Sequence, residues 1–338
     1  MKSIEITATT LQDSIEQLHN ELGGLIKKDL KEHYLTIDPA NGSGYIRGML
    51  LKGGISFIQF DINLNEDLKI VFNTPQKSLV NFTYCSEGQI AHAFDDQTER
   101  LELETFQTGI LSNITSEKNN LYFRKNLQTS ASIISVNTAF TDGRIHVINT
   151  KLRERFIDDQ KDNVAIVSSP NLKIAQRLKQ LRAIKQDGVV RTLLIEGLVH
   201  VVLALEIDQH KRDLHNIAHS TGSLTRKEMS NIKELSEYIN NFPETSMTVT
   251  QLSHKIGITP SKLQEGFKLM HGRTVNDYIR DVRVTKSEEL IKTTDMNISQ
   301  ILYTLGFSSR SYFSKIFKEK YNCSPSKYKA QSKLAVSA

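Results

Sequence analysis

Cysteine is nearly absent: the chain of 338 residues holds two, Cys85 and Cys323, far apart and outside any CxxC or Cys/His cluster. That excludes a disulfide framework and a structural zinc site, and it suits a reducing compartment, so a cytoplasmic protein is expected. Glycine (17) and proline (6) are too scarce for a collagenous or low-complexity chain, and 38% hydrophobic with 24% charged residues is an ordinary globular balance. The first 24 residues have no basic start followed by an apolar core, so no secretory signal is expected. No long hydrophobic run is present. The most apolar stretch, 189–207, is broken by Arg191, Glu196, His200 and Glu206, whereas a membrane span needs roughly 20 apolar residues; a packed amphipathic helix and no membrane contact are expected. Phosphate-cradling GxxxxGKS/T, GxSxG and HExxH are also missing.

The length fits two domains at roughly 100 to 200 residues each. The net charge of +5 is unevenly spread: from Arg226 onward 18 Lys+Arg face 11 Asp+Glu, and before it 25 face 27. Within 310–333, seven basic residues accompany the single acid Glu319. Clustered cations supply most sequence-independent affinity for a phosphate backbone, so nucleic acid becomes a candidate partner for the last third; a solvated helical surface would look the same by charge alone.

Periodicity separates the chain into parts. A helix-like stretch covers 10–30. From Gly44 to Asn137, apolar residues alternate in short runs such as Ile55–Leu64 and Leu79–Tyr84, divided by turn signals at Gly53-Gly54, Asn73-Thr74-Pro75, Glu87-Gly88 and Lys118-Asn119-Asn120. This predicts an antiparallel β sandwich or barrel, cupin-like, within an α+β chain. After Thr138 the period lengthens: Ser169-Pro170 opens one helix, and about Val189 to His210 forms another with Leu194, Leu198, Val201, Val202 and Leu205 on one stripe. That stripe would pack on the β domain or on a copy of itself. Residues 209–226 read as a linker. The expected division is a β-rich sensing domain at 1–160, a helical dimerisation and linker region at 161–225, and an all-α DNA-binding domain at 226–338.

The last third contains a duplication. Leu252–Lys268 and Ile301–Lys318 both carry an aliphatic residue five before a glycine (Gly257, Gly306), then an apolar residue, and later an apolar residue four positions ahead of the Phe of a Phe-Lys pair. Gly272 or Asn322 and Tyr278 or Tyr328 follow at matching distances, and the second turn is one residue longer. Each glycine accepts the positive φ of a tight turn, and Thr259-Pro260 or Ser308-Ser309 offers a cap for the next helix, the pattern of two helix-turn-helix units. At 100° per residue Leu263, Phe267 and Met270 face inward, as do Phe313, Ile316, Phe317 and Lys320. The DNA-contacting set expected on the outward side is Ser261, Lys262, Gln264, Glu265 and Lys268, then Ser309, Arg310, Ser311, Tyr312, Ser314, Lys315 and Lys318. Hydroxyls, an amide and cations of this kind reach phosphates and base edges in a major groove. The stretch from Val275 to Thr293 lacks Gly and Pro and would hold the units one helical turn of DNA apart, roughly 34 Å.

These residues resemble the AraC/XylS family of bacterial transcription regulators, most closely over Ile298–Tyr328 and in all over about Met229 to Lys329. The resemblance implies two helix-turn-helix units joined by a helix, promoter DNA and RNA polymerase as partners, activation as the sign of regulation, and a structural role for Arg283. The 44–135 strands with their following helices are similar to the family's sensor half, more loosely to its siderophore-responsive subgroup. The chain departs from the family pattern at Glu265, which would read a cytosine edge or add little affinity, at Ser253 and Leu302, where a small alanine is usual, and at Asn322, where glycine is usual.

For the β domain the functional expectation is an interior that binds a small-molecule effector, with Tyr45, Arg47, Tyr84, Glu87 and Arg124 as its polar groups; the plainer alternative is a sandwich that only supports a homodimer. No cofactor, metal or catalytic residue is expected. His92 and His146 belong to no HxH pair, the His210–His219 run falls in the linker, and Cys85 reads as a small buried hydrophobe. The expected function is a sequence-specific, effector-responsive transcription regulator. The competing classes are a non-specific architectural DNA binder and a β-domain enzyme tethered to DNA.

Overall fold

The alternating apolar residues of the N-terminal half form strands, and the structure, a computed structural model, describes residues 1–8, 10–73, 77–143, 146–215 and 224–336. The chain divides into two units, Met1–Thr221 and Gly222–Ala338. The first opens with β1 (Lys2–Ile6), α1 (Leu11–Leu22), β2 (Leu25–Asp29), β3 (Glu32–Thr36), β4 (Gly42–Leu50), β5 (Ile55–Leu64) and β6 (Leu68–Asn73). It continues through β7 (Leu79–Glu87), β8 (Gln89–Phe94), β9 (Leu101–Glu104), β10 (Thr108–Ser112), β11 (Lys118–Phe123) and β12 (Thr129–Asn137). Last come α2 (Val147–Arg153), β13 (Val164–Val167), α3 (Leu172–Arg182) and α4 (Gly188–His215). One sheet runs β1-β6-β11-β8-β9 and the other β13-β10-β7-β12-β5-β4-β3-β2. Ile4, Ile58, Phe60, Ile70, Leu121, Phe123 and Ile133 belong to the core of this unit. The unit is mixed α and β as expected, but β1 pairs with β6 in parallel, because the chain leaves β1 through α1 before returning.

Three boundaries differ from the sequence expectation. The first helix stops at Leu22 instead of continuing to residue 30, since Gly23 and Gly24 take φ of 63° and 98°. A Cβ at Gly24 would stand 1.8 Å from the Thr36 carbonyl oxygen, so only glycine lets the chain turn back there, and Leu25–Asp29 pairs with β3 as a strand. Within the region read as helical, Val164–Val167 joins the larger sheet beside β10. The helix assigned to Ser169-Pro170 begins later, where the Asn171 side chain accepts from the Lys173 amide.

α4 also differs. It buries Ile195, Val199, Val202 and Glu206, while Leu194 and Val201, from the stripe expected to pack on the β domain or on a copy of the chain, lie 42% exposed with Val190 at 56%. The helix continues through Gln209 to His215; the rest of the predicted linker, 216–223, lies outside the described residues. Among the described residues it is the one helix long and apolar enough to cross a membrane, with 22% of its most apolar window buried. Two of its charges meet β3 and the turn before it: Arg191 clasps Glu32 through Nε at 2.5 Å and Nη2 at 2.9 Å, and Glu196 lies 3.2 Å from Lys31.

The second unit is all helical: α5 (Arg226–Asn241), α6 (Val249–Ile256), α7 (Pro260–His271), α8 (Val275–Thr293), α9 (Ile298–Thr304), α10 (Arg310–Tyr321) and α11 (Pro325–Val336). Side-chain caps start α5 to α10, with full capping boxes at Thr225/Glu228, Thr248/Gln251 and Asn297/Gln300. One cluster joins Val284 and Ile291 of α8 to Ile301, Leu302, Phe313, Ile316 and Phe317.

Candidate nucleic-acid interface

The two copies of the repeat take the same local course. α6 ends at Gly257 (φ 67°), and Thr259 caps α7 with Pro260 at its first position. After α9, Gly306 (φ 71°) makes the turn and Ser309 caps α10, one residue later than in the first copy. Leu263, Phe267 and Met270 are buried on α7, and Phe313, Ile316 and Phe317 on α10, as their spacing required. Lys320, predicted inward, is exposed. Its ammonium binds Asp281 (2.8 Å) and Thr285 of α8, because a cation on the seam between two helices gains more from a carboxylate at the surface than from the core. Asn322 closes α10 at φ 58°, the left-handed role that Gly272 fills after α7.

The predicted contact residues divide between exposed and engaged groups. On α10, Arg310, Ser311, Tyr312, Lys315 and Lys318 are exposed, Ser314 is half-buried, and Ser309 spends its hydroxyl on the Tyr312 amide. On α7, Ser261 and Lys268 are exposed and Glu265 is half-buried. Lys262 instead holds Glu228 of α5 at 2.8 and 3.0 Å, and Gln264 accepts from the Val275 amide at 3.1 Å, so both connect helices within the unit. Sequence reasoning passed over Arg280 of α8. A hydrogen bond to the Tyr312 side chain raises it above the usual arginine value and sets a guanidinium beside α10; no spacing rule links positions 280 and 312.

Arg283 fastens the scaffold. Its guanidinium donates to the carbonyls of Pro243 (2.8 Å), Thr245 (2.9 Å) and Gly306 (3.2 Å), tying the α5–α6 connection to the second turn. The planar fork spreads five donors over three nitrogens and so reaches three carbonyls set apart from one another, whereas lysine's donors all sit on one nitrogen.

In the first unit a cavity of about 880 Å³ lies between the two sheets. Thr83, Asn81, Leu111, Ile58, Ile133 and Ser135 line it from the larger sheet, and Ile6, Phe72, His92, Asn119 and Leu121 from the smaller. None of the five residues predicted to bind an effector is among its lining. The register explains this: Thr83 pairs with Ile133, and Ile133 with Ile58, whereas Tyr84 pairs with Ser132, Ser132 with Gln59, and Gln59 with Arg47. Side chains alternate between faces, so Tyr84 and Arg47 belong to the opposite face of that sheet. There Arg47 is buried against Glu32 (3.5 Å) and Gln59, Tyr45 stacks on Tyr34 with centroids 4.8 Å apart, and the Tyr84 hydroxyl donates to the Asn171 carbonyl at 2.6 Å. Glu87 is exposed at the end of β7, and Arg124 pairs with Glu102 at the surface, 3.1 Å away. His92 is buried in the cavity wall with its Nε2 3.0 Å from Asn119 Oδ1, and burial pushes its imidazole down to about 4. His146, at the cavity rim, sits 3.0 Å from Asp142. Cys85 is buried, and its thiol donates to the carbonyls of Glu87 and Gly88. Among the described residues no group of three or more His, Cys, Asp or Glu stands together as metal ligands.

Comparison with known proteins places residues 252–331 in a helix-turn-helix domain family. Histidine kinase P4 of Formosa agariphila is 35% identical over 89 residues, 26% of this chain and 6% of that protein. The HTH-type transcriptional activator Btr of Bacillus subtilis is 27% identical over 143 residues, 42% of this chain and 25% of Btr. The arabinose operon regulatory protein of Escherichia coli is 27% identical over 100 residues, 29% of this chain and 34% of that regulator. The chain thus spans about a third or less of the length of each of these relatives.

Proposed function

We propose that this chain, whose C-terminal third is an AraC-type helix-turn-helix domain, is a sequence-specific DNA-binding transcription regulator, an activator, that responds to a small molecule held in its β-rich unit. The observation that carries this reading is the duplicated helix-turn-helix geometry around Gly257 and Gly306, with the polar and cationic face of α10 left exposed. Arg310, Lys315 and Lys318 set affinity through phosphates, while Ser311, Tyr312 and Ser314 meet base edges or sugars. In the first copy Ser261, Glu265 and Lys268 take that part, and Lys262 and Gln264 support it from within the domain. The protein acts in the cytoplasm beside RNA polymerase.

The outer face of α4 supports a homodimer: Val190, Leu194 and Val201 recur at helical spacing, are 42–56% exposed, and flank Gly197, where an added Cβ would meet nothing. A dimer presents two DNA-binding domains, and effector binding would shift the population toward the arrangement that reaches adjacent half-sites. The test is genome-wide footprinting of the tagged protein in its native cell, followed by titration of a recovered site against random duplex. Sharp promoter sites and a specificity ratio above roughly 10³ are expected; a diffuse footprint with a lower ratio favours an architectural DNA binder and sinks the regulator.

A further inference from the structure

Among the described residues, the lining of the cavity between the sheets carries no buried charged side chain: Lys52 and Asp142 are both exposed, and the titratable His146 is held by Asp142. Deeper, strand register lays out two rows on the larger sheet: Gly109, Thr83, Ile133 and Ile58, then Leu111, Asn81, Ser135 and Ser56. The smaller sheet faces them with Leu121, Phe72 and Ile6, and with the His92 to Asn119 hydrogen bond that continues from Asn119 Nδ2 to Asn113 Oδ1 at 2.5 Å. A band of neutral polar groups therefore crosses a chamber walled largely by aliphatic and aromatic side chains, with Thr10, Ser14, Asn73 and Asn137 as further neutral polar lining.

Two details show what the band lacks. Thr83 is 1% exposed and its hydroxyl has no hydrogen-bond partner, an arrangement that costs stability unless something else satisfies it. Ser135 already donates to Asn81 Oδ1 at 2.6 Å, which orients the Asn81 amide with its NH₂ as the remaining donor group. The Asn119 amide, donating to Asn113, presents its carbonyl to His92 and so accepts a proton carried on Nε2, while burial, which pushes the imidazole down to about 4, keeps the ring neutral. Among the described residues the chamber thus offers hydroxyl, amide and neutral imidazole groups and no buried ion. An ionised ligand group placed here would lose its hydration without a counter-charge.

We propose that the cavity takes an uncharged, largely apolar molecule of drug-like size that carries a hydroxyl or carbonyl group, seated with that group at Thr83 and Asn81. A volume of about 880 Å³ falls within the range of small-molecule sites, roughly 300–1,000 Å³. Phosphorylated, carboxylated and amino-bearing ligands are disfavoured by the same absence of buried charge. This assignment rests on the reading of the first unit as the effector-binding part of a regulator.

The test uses the full chain and prodan, a neutral naphthyl ketone whose emission shifts to the blue in apolar surroundings. Saturable binding is expected, with 2-naphthalenemethanol displacing prodan at concentrations at least about tenfold lower than 2-naphthoate does at neutral pH. Thr83→Val, which keeps the shape of the side chain, is expected to weaken prodan binding roughly threefold to tenfold. Ile133→Trp, which fills the chamber, is expected to abolish it. Equal or better displacement by the carboxylate overturns the proposal, as does prodan binding unchanged in an Ile133→Trp chain with wild-type circular dichroism. Regulation is read apart from this: promoter occupancy in cells that is indifferent to Ile133→Trp sinks the effector reading and leaves the ligand class standing.

Discussion

Lys262 and the pair Lys315 and Lys318 are the same kind of residue in different circumstances. Lys262 is tied to Glu228, whereas Lys315 and Lys318 are exposed and, among the described residues, hold no ion pair. Lys315→Ala and Lys318→Ala should each weaken DNA binding and lower the slope of log affinity against log salt by about 1, measured by titration at several salt concentrations. Lys262→Ala should leave that slope nearly unchanged, and a drop equal to that of the α10 variants would refute the division. A buried histidine and a half-buried one make a prediction about pH. Burial lowers His92 and His271 to about 4, so both are neutral in the fold, and the unfolded chain binds the extra protons between the ordinary value of 6.5 and 4. Their contribution to stability is present above pH 6.5 and is lost as the pH falls toward 4. His271 rests on Tyr278 with centroids 4.0 Å apart, a place a phenyl ring can fill. His271→Phe should therefore narrow the gap between urea midpoints at pH 7 and pH 5; an unchanged gap would mean that His271 is not a source of the acid sensitivity.

At the scale of elements, close packing explains what local pattern does not. Gly266 is in the middle of α7, where alanine would favour the helix by up to about 1 kcal/mol. A Cβ there would come within 2.1 Å of Ile232 Cδ1 on α5, so Gly266→Ala should instead destabilise the second unit by about 1–3 kcal/mol in chemical denaturation. Neutral or improved stability would show that α5 yields without cost. The course of helix, tight turn and helix around Gly257 and Gly306 was legible from those glycines with Thr259 and Ser309, because turn and cap chemistry is local. Lys320 was misjudged for the opposite reason: its partner Asp281 is on another helix, and helical spacing alone assigns it a direction but not a neighbour.

For the whole molecule, the outer face of α4 yields the prediction on assembly. Leu194→Glu combined with Val201→Glu should convert a dimer to a monomer by analytical ultracentrifugation and reduce affinity for paired half-sites, with the thermal midpoint of the first unit little changed. A chain that stays dimeric would remove α4 from the interface. The sequence by itself determined the strand-rich half, the helical third with its repeat, and the residue types offered to DNA, since these follow from period, caps and turns that act within a few residues. Only the tertiary structure decided which face of each strand meets the cavity, and so left Tyr45, Arg47, Tyr84, Glu87 and Arg124 off its lining and put Thr83, Asn81, His92 and Asn119 on it. It also decided that Lys262 and Gln264 work inside the domain. Such choices depend on register and on partners distant along the chain, and a shift of one residue in strand pairing would exchange the two faces entirely.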